Sequence, residues 1–224
     1  DIEFRWDGGV FSKLMSLSRD SEVKLFVILT TALVGLIHKY TGDEDIVVGA
    51  PIYRQKIAGK LINTVLPLRS LITEGMTFKD LLLKVSQVVF EANEHQNYPI
   101  NTLLYQLNMP VSPGGDFPLF DVSVLLENVH DPEYLRHVTH NARFAFLREA
   151  GCIKGTVTYN SKRFQPESIH SLVSHFEHFV SAALEDIQRL LTDIDIMSLG
   201  ERKRILEDFN DNAAAYPAQK TVHE

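Results

Sequence analysis

The first part of the chain passes from strand-like to helix-like spacing of its apolar residues. Residues 2–6 alternate apolar and polar side chains, which is typical of a half-buried strand. Residues 8–23 then place apolar side chains at near-helical spacing. The most apolar stretch, residues 25–37, lies inside a helix that we predict over about residues 21–40. Gly42 is expected to end that helix, because glycine is favoured just after a helix C-terminus.

The middle of the chain predicts two strands and the most regular helix. Residues 45–51 are a short apolar run of the buried-strand type, and residues 62–72 resume an extended pattern after a polar loop. Residues 77–95 follow a helical period behind Thr77, a plausible N-cap. The apolar face of this helix consists of Phe78, Leu81, Leu82, Val85, Val88, Val89 and Ala92. Pro99 fits as the first residue of a following short helix.

The last third of the chain predicts more strands and a second long helix. Residues 119–128 are typical of a central strand, and residues 141–149 and 151–160 alternate. The helix over residues 165–191 has one apolar face, formed by Ile169, Leu172, Val173, Phe176, Phe179, Val180 and Ala183. Periodicity ends after Phe209, as in a linker. Strands and helices alternate without a regular βαβ order, so we predict an α/β fold, an α+β sandwich with a mixed or antiparallel sheet.

Composition and charge narrow the class of protein. The chain has 224 residues, of which 45% are hydrophobic, and a net charge of -7. Without a Lys/Arg cluster this charge argues against nucleic-acid binding. Cys152 is the single cysteine, which excludes an internal disulfide and favours a reducing compartment. The 13-residue apolar stretch is shorter than the ~20 residues of a membrane span, and the opening DIEFRWDGG is unlike a signal peptide. We therefore expect a cytoplasmic protein without a membrane segment.

The nine histidines and the cysteine give weak signals for catalysis. His137 and His140 are three residues apart, as are His175 and His178, and such pairs share one face of a helix. Zinc requires three or four converging ligands, so a solvated helix face is the more common meaning. A metal-dependent hydrolase is the weakest of three hypotheses. Cys152 lies in an alternating strand, where a small buried hydrophobe is the default interpretation.

Two polar clusters within apolar surroundings are the best candidate site. His95, Gln96 and Asn97 follow the regular helix, where they either cover its free carbonyl groups or place Gln96 in a cavity to bond a substrate amide. Asn63 and Thr64 interrupt an apolar extended run. A buried amide must be satisfied, so Asn63 either braces a neighbouring loop or faces a polar channel.

Six segments occur in an order that resembles a known family. They are YTGDEDIVVGAPIYRQ, GKLINTVLPLR, EHQNYPINTLLYQL, FPLFDVSVLLEN, VTYNSKRF and RKRILEDFNDNAAAYP. GKLINTVLPLR is similar to the G-x-F-V-N-T-L-P-L-R motif, and HQNYP to the H-Q-D-Y-P-F-E motif, of condensation domains in non-ribosomal peptide synthetases. The chain resembles the C-terminal half of such a domain over nearly its whole length.

The resemblance implies a chloramphenicol-acetyltransferase-like lobe, with residues 1–197 forming the lobe and 198–224 a linker toward an adenylation domain. In the family, an N-terminal lobe completes a tunnel between the lobes. Donor and acceptor carrier proteins bring acyl and aminoacyl thioesters to this tunnel on phosphopantetheine arms, and an amide forms. No cofactor is expected to be bound covalently to this chain, and residues 131–144 are expected to reach across to the other lobe.

The resemblance also implies which residues are catalytic. The family's H-H-x-x-x-D-G motif lies in the N-terminal half, and this sequence contains no adjacent histidines. We therefore expect no catalytic residue and no metal ligand here, and no condensation by this chain alone. Asn63, Thr64, His95 and Gln96 are expected to line the tunnel or brace its loops on the acceptor side. The alternative is a non-catalytic module that docks a carrier protein.

Two departures from the family pattern affect loops near these motifs. The family's R-D-x-S-R-N-P-L-F motif is replaced by VSPGGDFPLF, without its arginine, and Ile100 and Asn101 replace Phe-Glu after HQNYP. The ion pair or cap that the arginine or glutamate supplies is therefore in doubt. Because one lobe would leave its packing surface uncovered, we also expect self-association in solution.

Overall fold

The computed structural model describes residues 1–55, 61–109 and 117–206. Gly59 and Lys60 of the first motif, residues 111–116 of the divergent motif and the proposed linker from residue 207 onward lie outside these ranges. The strands are β1 Ile2–Trp6, β2 Asp45–Pro51, β3 Val65–Leu71, β4 Val122–Leu126, β5 Ala142–Glu149 and β6 Cys152–Tyr159. The helices are α1 Gly8–Ser18, α2 Glu22–Thr41, α3 Phe78–Glu94, α4 Ile100–Gln106, α5 Pro166–Glu185 and α6 Leu199–Leu206.

The six strands form one mixed sheet in the order β1-β6-β5-β4-β2-β3. Strand β4 lies in the centre and runs parallel to both β2 and β5, and the other neighbouring pairs are antiparallel. Residues 119–128 were predicted to contain a central strand, and this prediction is confirmed. The α/β fold with a central mixed sheet and flanking helices is likewise confirmed.

Helices α1, α2, α3 and α5 pack on one face of the sheet and enclose the main core. The side chains of β5 alternate between the two faces of the sheet. Phe144 and Phe146 point into this core, whereas Ala145 between them packs on the opposite face. A smaller apolar cluster covers part of that opposite face and contains Val65, Phe120, Leu125 and Leu135. The sheet is therefore covered fully on one side and partly on the other.

Helix α2 is the core helix of the domain. The Ser21 hydroxyl accepts the backbone N–H of Lys24 at 3.4 Å, and Gly42 ends the helix with a φ of 74° and an N–H bond to the His38 carbonyl at 2.8 Å. Gly35 allows a close approach to α5, because a Cβ there would lie 2.4 Å from the Phe179 ring. In the described part of the chain α2 is the one helix long and apolar enough to cross a membrane, but 67% of its apolar window is buried inside the protein.

Helix α3 begins at a full capping box. The Thr77 hydroxyl accepts the Asp80 N–H at 3.1 Å, and the Asp80 carboxylate accepts the Thr77 N–H at 3.0 Å. Phe78, Leu81, Val85 and Val89 are buried, and Leu82, Val88 and Ala92 are partly buried against the core. The N-cap and the apolar face predicted for this helix are confirmed.

Several predicted boundaries differ from the structure. The helix predicted over residues 165–191 ends at Glu185 as α5. Pro99 is the N-cap of α4, with a φ of -63°, so the short helix begins one residue later than predicted. Residues 199–206, the first part of the segment assigned to a linker, form helix α6. The remainder of that linker stays a prediction because it lies outside the described residues.

Candidate functional site

The Asn63 side chain connects the start of β3 to the turn between α3 and α4. Its Nδ2 donates to the carbonyl oxygens of Gln96 at 2.5 Å and Tyr98 at 2.6 Å, and its Oδ1 accepts the Ile100 N–H at 3.0 Å. Asn63 is 7% exposed, so these bonds are formed away from water. Both amide donors and the acceptor are used, and this geometry is that of a loop brace.

The other predicted site residues surround the same turn. His95 is the exposed C-cap of α3, and its Nδ1 lies 2.8 Å from the Glu91 carbonyl oxygen, which covers a free carbonyl at the helix end. Gln96 contributes its backbone carbonyl to Asn63. Thr64 is half-buried, and its carbonyl accepts the Ile52 N–H at 3.1 Å, which ties the residue to the chain after β2.

A cleft of about 230 Å³ lies beside this turn. Among the four predicted site residues, Asn63 and His95 line it. The rest of its wall is mostly apolar and comes from β3, α3, α4 and the turn between the two helices: Val65, Leu66, Pro67, Ala92, Tyr98, Ile100 and Leu103. Thr64 and Gln96 are close in the chain but do not line this cleft.

A larger apolar groove of about 460 Å³ lies between α2 and α3. Its wall includes three strongly exposed apolar side chains: Val23 is 42%, Leu83 61% and Phe90 63% exposed. Leu83 and Phe90 lie outside the predicted apolar face of α3. They are seven residues apart, so they fall on one side of the helix two turns apart, and this spacing is the signal that could have identified the groove.

His130 lies behind the groove wall and was missed in the sequence. Its ring stacks on Tyr53, a groove residue, with centroids 5.3 Å apart, and meets the edge of Phe26 at 4.4 Å. Its Nδ1 accepts the Leu126 N–H at 3.1 Å, so the N–H proton of the neutral imidazole is on Nε2. Burial lowers the pKa of His130 to about 4. His130 is therefore a neutral structural group at neutral pH.

The two histidine pairs do not form a metal centre. His175 and His178 lie on α5, but the His175 ring bonds Tyr40 and Glu201, whereas the His178 Nδ1 bonds the Ser174 carbonyl of its own helix. His137 and His140 follow a short 3-10 turn and do not share a helix face. Over residues 1–55, 61–109 and 117–206, no group of three or more His, Cys, Asp or Glu side chains is placed to hold a metal ion.

The Asn63-centred turn and the groove offer hydrogen bonding and apolar contact. His95 and His130 each use Nδ1 on a backbone group. Cys152 is 1% exposed, and its Sγ lies 3.9 Å from the Glu149 carboxylate. What this surface presents is a braced wall next to an exposed apolar groove.

Comparison with known families identifies the fold. The model of the family described as "Condensation domain" matches residues 1–206. The chain belongs to the condensation domain family. This assignment agrees with the resemblance carried by the six sequence segments. The match includes α6 and ends at residue 206, within the segment 198–224 that was predicted as a linker.

The curated relatives are much longer than this condensation domain chain. It is 32% identical to tyrocidine synthase 3 of Brevibacillus parabrevis over 100% of its own length and 4% of that protein. It is 30% identical to gramicidin S synthase 2 of Brevibacillus brevis, with coverages of 95% and 5%. Surfactin synthase subunit 1 of Bacillus subtilis (strain 168) is 28% identical, with coverages of 99% and 7%.

Solved structures support the same fold. The X-domain in complex with OxyB from teicoplanin biosynthesis aligns with a TM-score of 0.73 and 19% identity over 88% of this chain and 48% of that one. The starter condensation domain of rhizomide synthetase RzmA aligns with a TM-score of 0.66 and 18% identity, with the same coverages. The condensation domain chain thus spans about half the length of these solved domains.

Proposed function

We propose that this chain is the acceptor-side, C-terminal lobe of a peptide-synthetase condensation domain. The observation that carries the proposal is the extent of the structural alignment, because 88% of this chain matches only 48% of a starter condensation domain. The GKLINTVLPLR and HQNYP motifs support an assignment to the second half. An N-terminal lobe with the paired histidines would supply the catalytic base from outside this chain.

The contribution of this lobe would be to hold one wall of the tunnel in place. Amide formation requires the acceptor amine and the donor thioester to be fixed close together, and a displacement of about 1 Å lowers the rate strongly. Asn63 fixes the turn that carries His95 and Gln96 by three hydrogen bonds. The four predicted site residues therefore act as positioning residues, and the phosphopantetheine arm is brought by partner carrier proteins.

Docking of the acceptor carrier protein is proposed for the groove between α2 and α3. Helix α3 supplies Leu83 and Phe90 to the groove and ends at His95, so the groove lies along the helix that leads into the HQNYP turn. Exposed apolar side chains that lie together on a surface mark interaction sites. Under this proposal the adenylation domain follows the linker. The lobe can then dock a carrier protein even where no amide is formed.

A measurement of amide formation tests the proposal that this chain is one lobe of a condensing enzyme. This chain is combined with an N-terminal lobe that carries the paired histidines, and two loaded carrier proteins are supplied. We expect dipeptide product from the combined lobes and none from this chain alone, measured by mass spectrometry. Replacement of the paired motif histidines in the N-terminal lobe is the control that should abolish product. If the two lobes together form no amide with any of several donor and acceptor pairs, the proposed role in the condensing enzyme is wrong.

Carrier binding tests the docking site separately. Titration of this chain with an acceptor carrier protein, followed by calorimetry, should give a dissociation constant in the micromolar range. Leu83→Ser and Phe90→Ser should each weaken binding about tenfold or more, because each removes apolar area from the contact. Tyr105→Ser is the matched control, since Tyr105 is 85% exposed on α4, outside the groove. Equal affinities for all three variants would place docking elsewhere.

A further inference from the structure

Three polar side chains from three helices meet where α6 contacts α5. The Tyr40 hydroxyl oxygen, near the end of α2, lies 2.5 Å from Nδ1 of His175 on α5. The other ring nitrogen of His175, Nε2, lies 2.9 Å from Oε2 of Glu201 in the first turn of α6. The His175 side chain is 12% exposed, that of Glu201 is 31% exposed and Tyr40 is 49% exposed, so the imidazole is shielded from water while its two partners are partly open to it.

The direction of each hydrogen bond follows from the chemistry of the three groups. Burial, followed by the Glu201 charge, raises the pKa of Tyr40 to about 12, so the phenol keeps its proton and donates it to Nδ1. The ring proton then resides on Nε2 and is donated to the Glu201 carboxylate. Both nitrogens of His175 are thus used, and the bond to the carboxylate is charge-assisted, which is the stronger kind.

We propose that the Tyr40–His175–Glu201 chain is a strap that holds α6 on α2 and α5 and so fixes the position of this helix on the domain. Helix α6 has eight residues, which is too short to be stable without tertiary contacts. Glu201 is also well placed for the helix, because a carboxylate in the first turn interacts favourably with the helix dipole. One side chain therefore stabilises the start of α6 and anchors it.

A second contact of α6 is weaker than the strap. Arg202 pairs with Asp195 at 3.3 Å, but both side chains are about half exposed, at 58% and 50%. Exposed ion pairs contribute little to stability because water and salt screen them. Within the strap, His175 and Glu201 are less exposed than this pair, whereas Tyr40 is 49% exposed. The strap connects α6 to two helices of the core, whereas Arg202 connects it to the preceding loop.

Hydrogen–deuterium exchange of the full chain tests the strap. Glu201→Ala and His175→Phe should each speed exchange of the α6 amides on the order of tenfold while leaving the amides of α2 unchanged. His178→Phe is the matched control, because His178 lies three residues along the same helix and its Nδ1 bonds only the Ser174 carbonyl among the contacts seen. Circular dichroism checks that each variant is folded.

A double-mutant cycle separates the strap from general loss of packing. Tyr40→Phe and Glu201→Gln change the two ends of the chain and leave His175 in place, so they also serve if His175→Phe fails to fold. Because both ends act through one imidazole, their effects on α6 exchange should be non-additive. Exchange in Glu201→Ala equal to that in His178→Phe, or strictly additive effects in the cycle, would overturn the proposal.

Discussion

At the residue scale, Asn63 has the largest structural role among the predicted site residues. One buried amide holds three backbone groups of the turn between α3 and α4. A side chain with only acceptors or only donors cannot replace it, because the turn presents two carbonyl oxygens and one N–H. The need for an amide at this position, between apolar neighbours, is thus explained by the pattern of backbone groups that it meets.

Asn63→Ala should lower the free energy of unfolding by about 2–4 kcal/mol, because buried backbone groups lose their partners. Urea denaturation followed by circular dichroism measures this. The matched control is Asn97→Ala, an exposed residue of the same turn, which should change stability by about 0.5 kcal/mol or less. If the two variants were equally stable, the Asn63 bonds would not be bracing the turn.

His130 makes the stability of the domain depend on pH. Burial lowers its pKa in the folded state from 6.5 to about 4. Between these values the unfolded chain binds the proton and the folded chain does not, so stability rises with pH through this window. Lowering the pH from 7 to 5 should therefore cost roughly 2 kcal/mol from this group alone.

The measurement compares urea denaturation at pH 7 and pH 5 in the wild-type chain and in His130→Phe, which cannot titrate. The variant is expected to be less stable at pH 7, because the Leu126 N–H loses its acceptor, and to lose less stability on acidification. His140, whose pKa is also lowered by burial, contributes in the same direction in both proteins. Identical losses in the two proteins would refute the role assigned to His130.

At the element scale, local periodicity was sufficient for most helices and strands. Helices α3 and α5 each bury an apolar face that repeats with the helical period, whereas α2 is buried on all sides over residues 25–36. Thr77 and Gly42 are local signals that mark helix ends. The strand residues 45–51 were predicted with the bounds that β2 has. These features depend on neighbours within a few residues, which the sequence pattern records directly.

Strand order and the strap depend on contacts between distant residues. The placement of β4 between β2 and β5 in parallel cannot be derived from the spacing within any one strand. Tyr40 and His175 are 135 residues apart, and His175 and Glu201 are 26 apart. In the sequence His175 stands out only through its spacing of three residues from His178, because such a spacing on one helix is visible without the fold.

The candidate site was predictable only in part, because local motifs identify residues but not the backbone groups or cavities that they meet in the fold. The family motifs indicated Asn63 and His95, and the structure brings both to one cleft. Gln96 was considered as a side chain that bonds substrate, whereas its backbone carbonyl is the group that bonds Asn63. The groove was missed because Leu83 and Phe90 are apolar residues on the face of α3 that was expected to be solvated.

At the scale of the whole molecule, the domain leaves apolar surface uncovered in the groove between α2 and α3. Val23, Leu83 and Phe90 are all more than 40% exposed there. Monomeric soluble proteins rarely keep large contiguous apolar patches in contact with water. The carrier protein proposed above is one partner that could cover this groove, and another copy of the isolated chain is a second.

We therefore expect the isolated chain to self-associate, with an apparent mass by sedimentation velocity that increases with concentration. Leu83→Ser and Phe90→Ser should both shift the equilibrium toward monomer, because each removes apolar area from the contact. Tyr105→Ser should leave self-association unchanged, since Tyr105 is exposed on α4 outside the groove. An acceptor carrier protein that binds the groove should compete with self-association and release monomers. If the wild-type chain sediments as a monomer over a wide concentration range, the groove stays exposed to water without a partner and the predicted self-association is wrong.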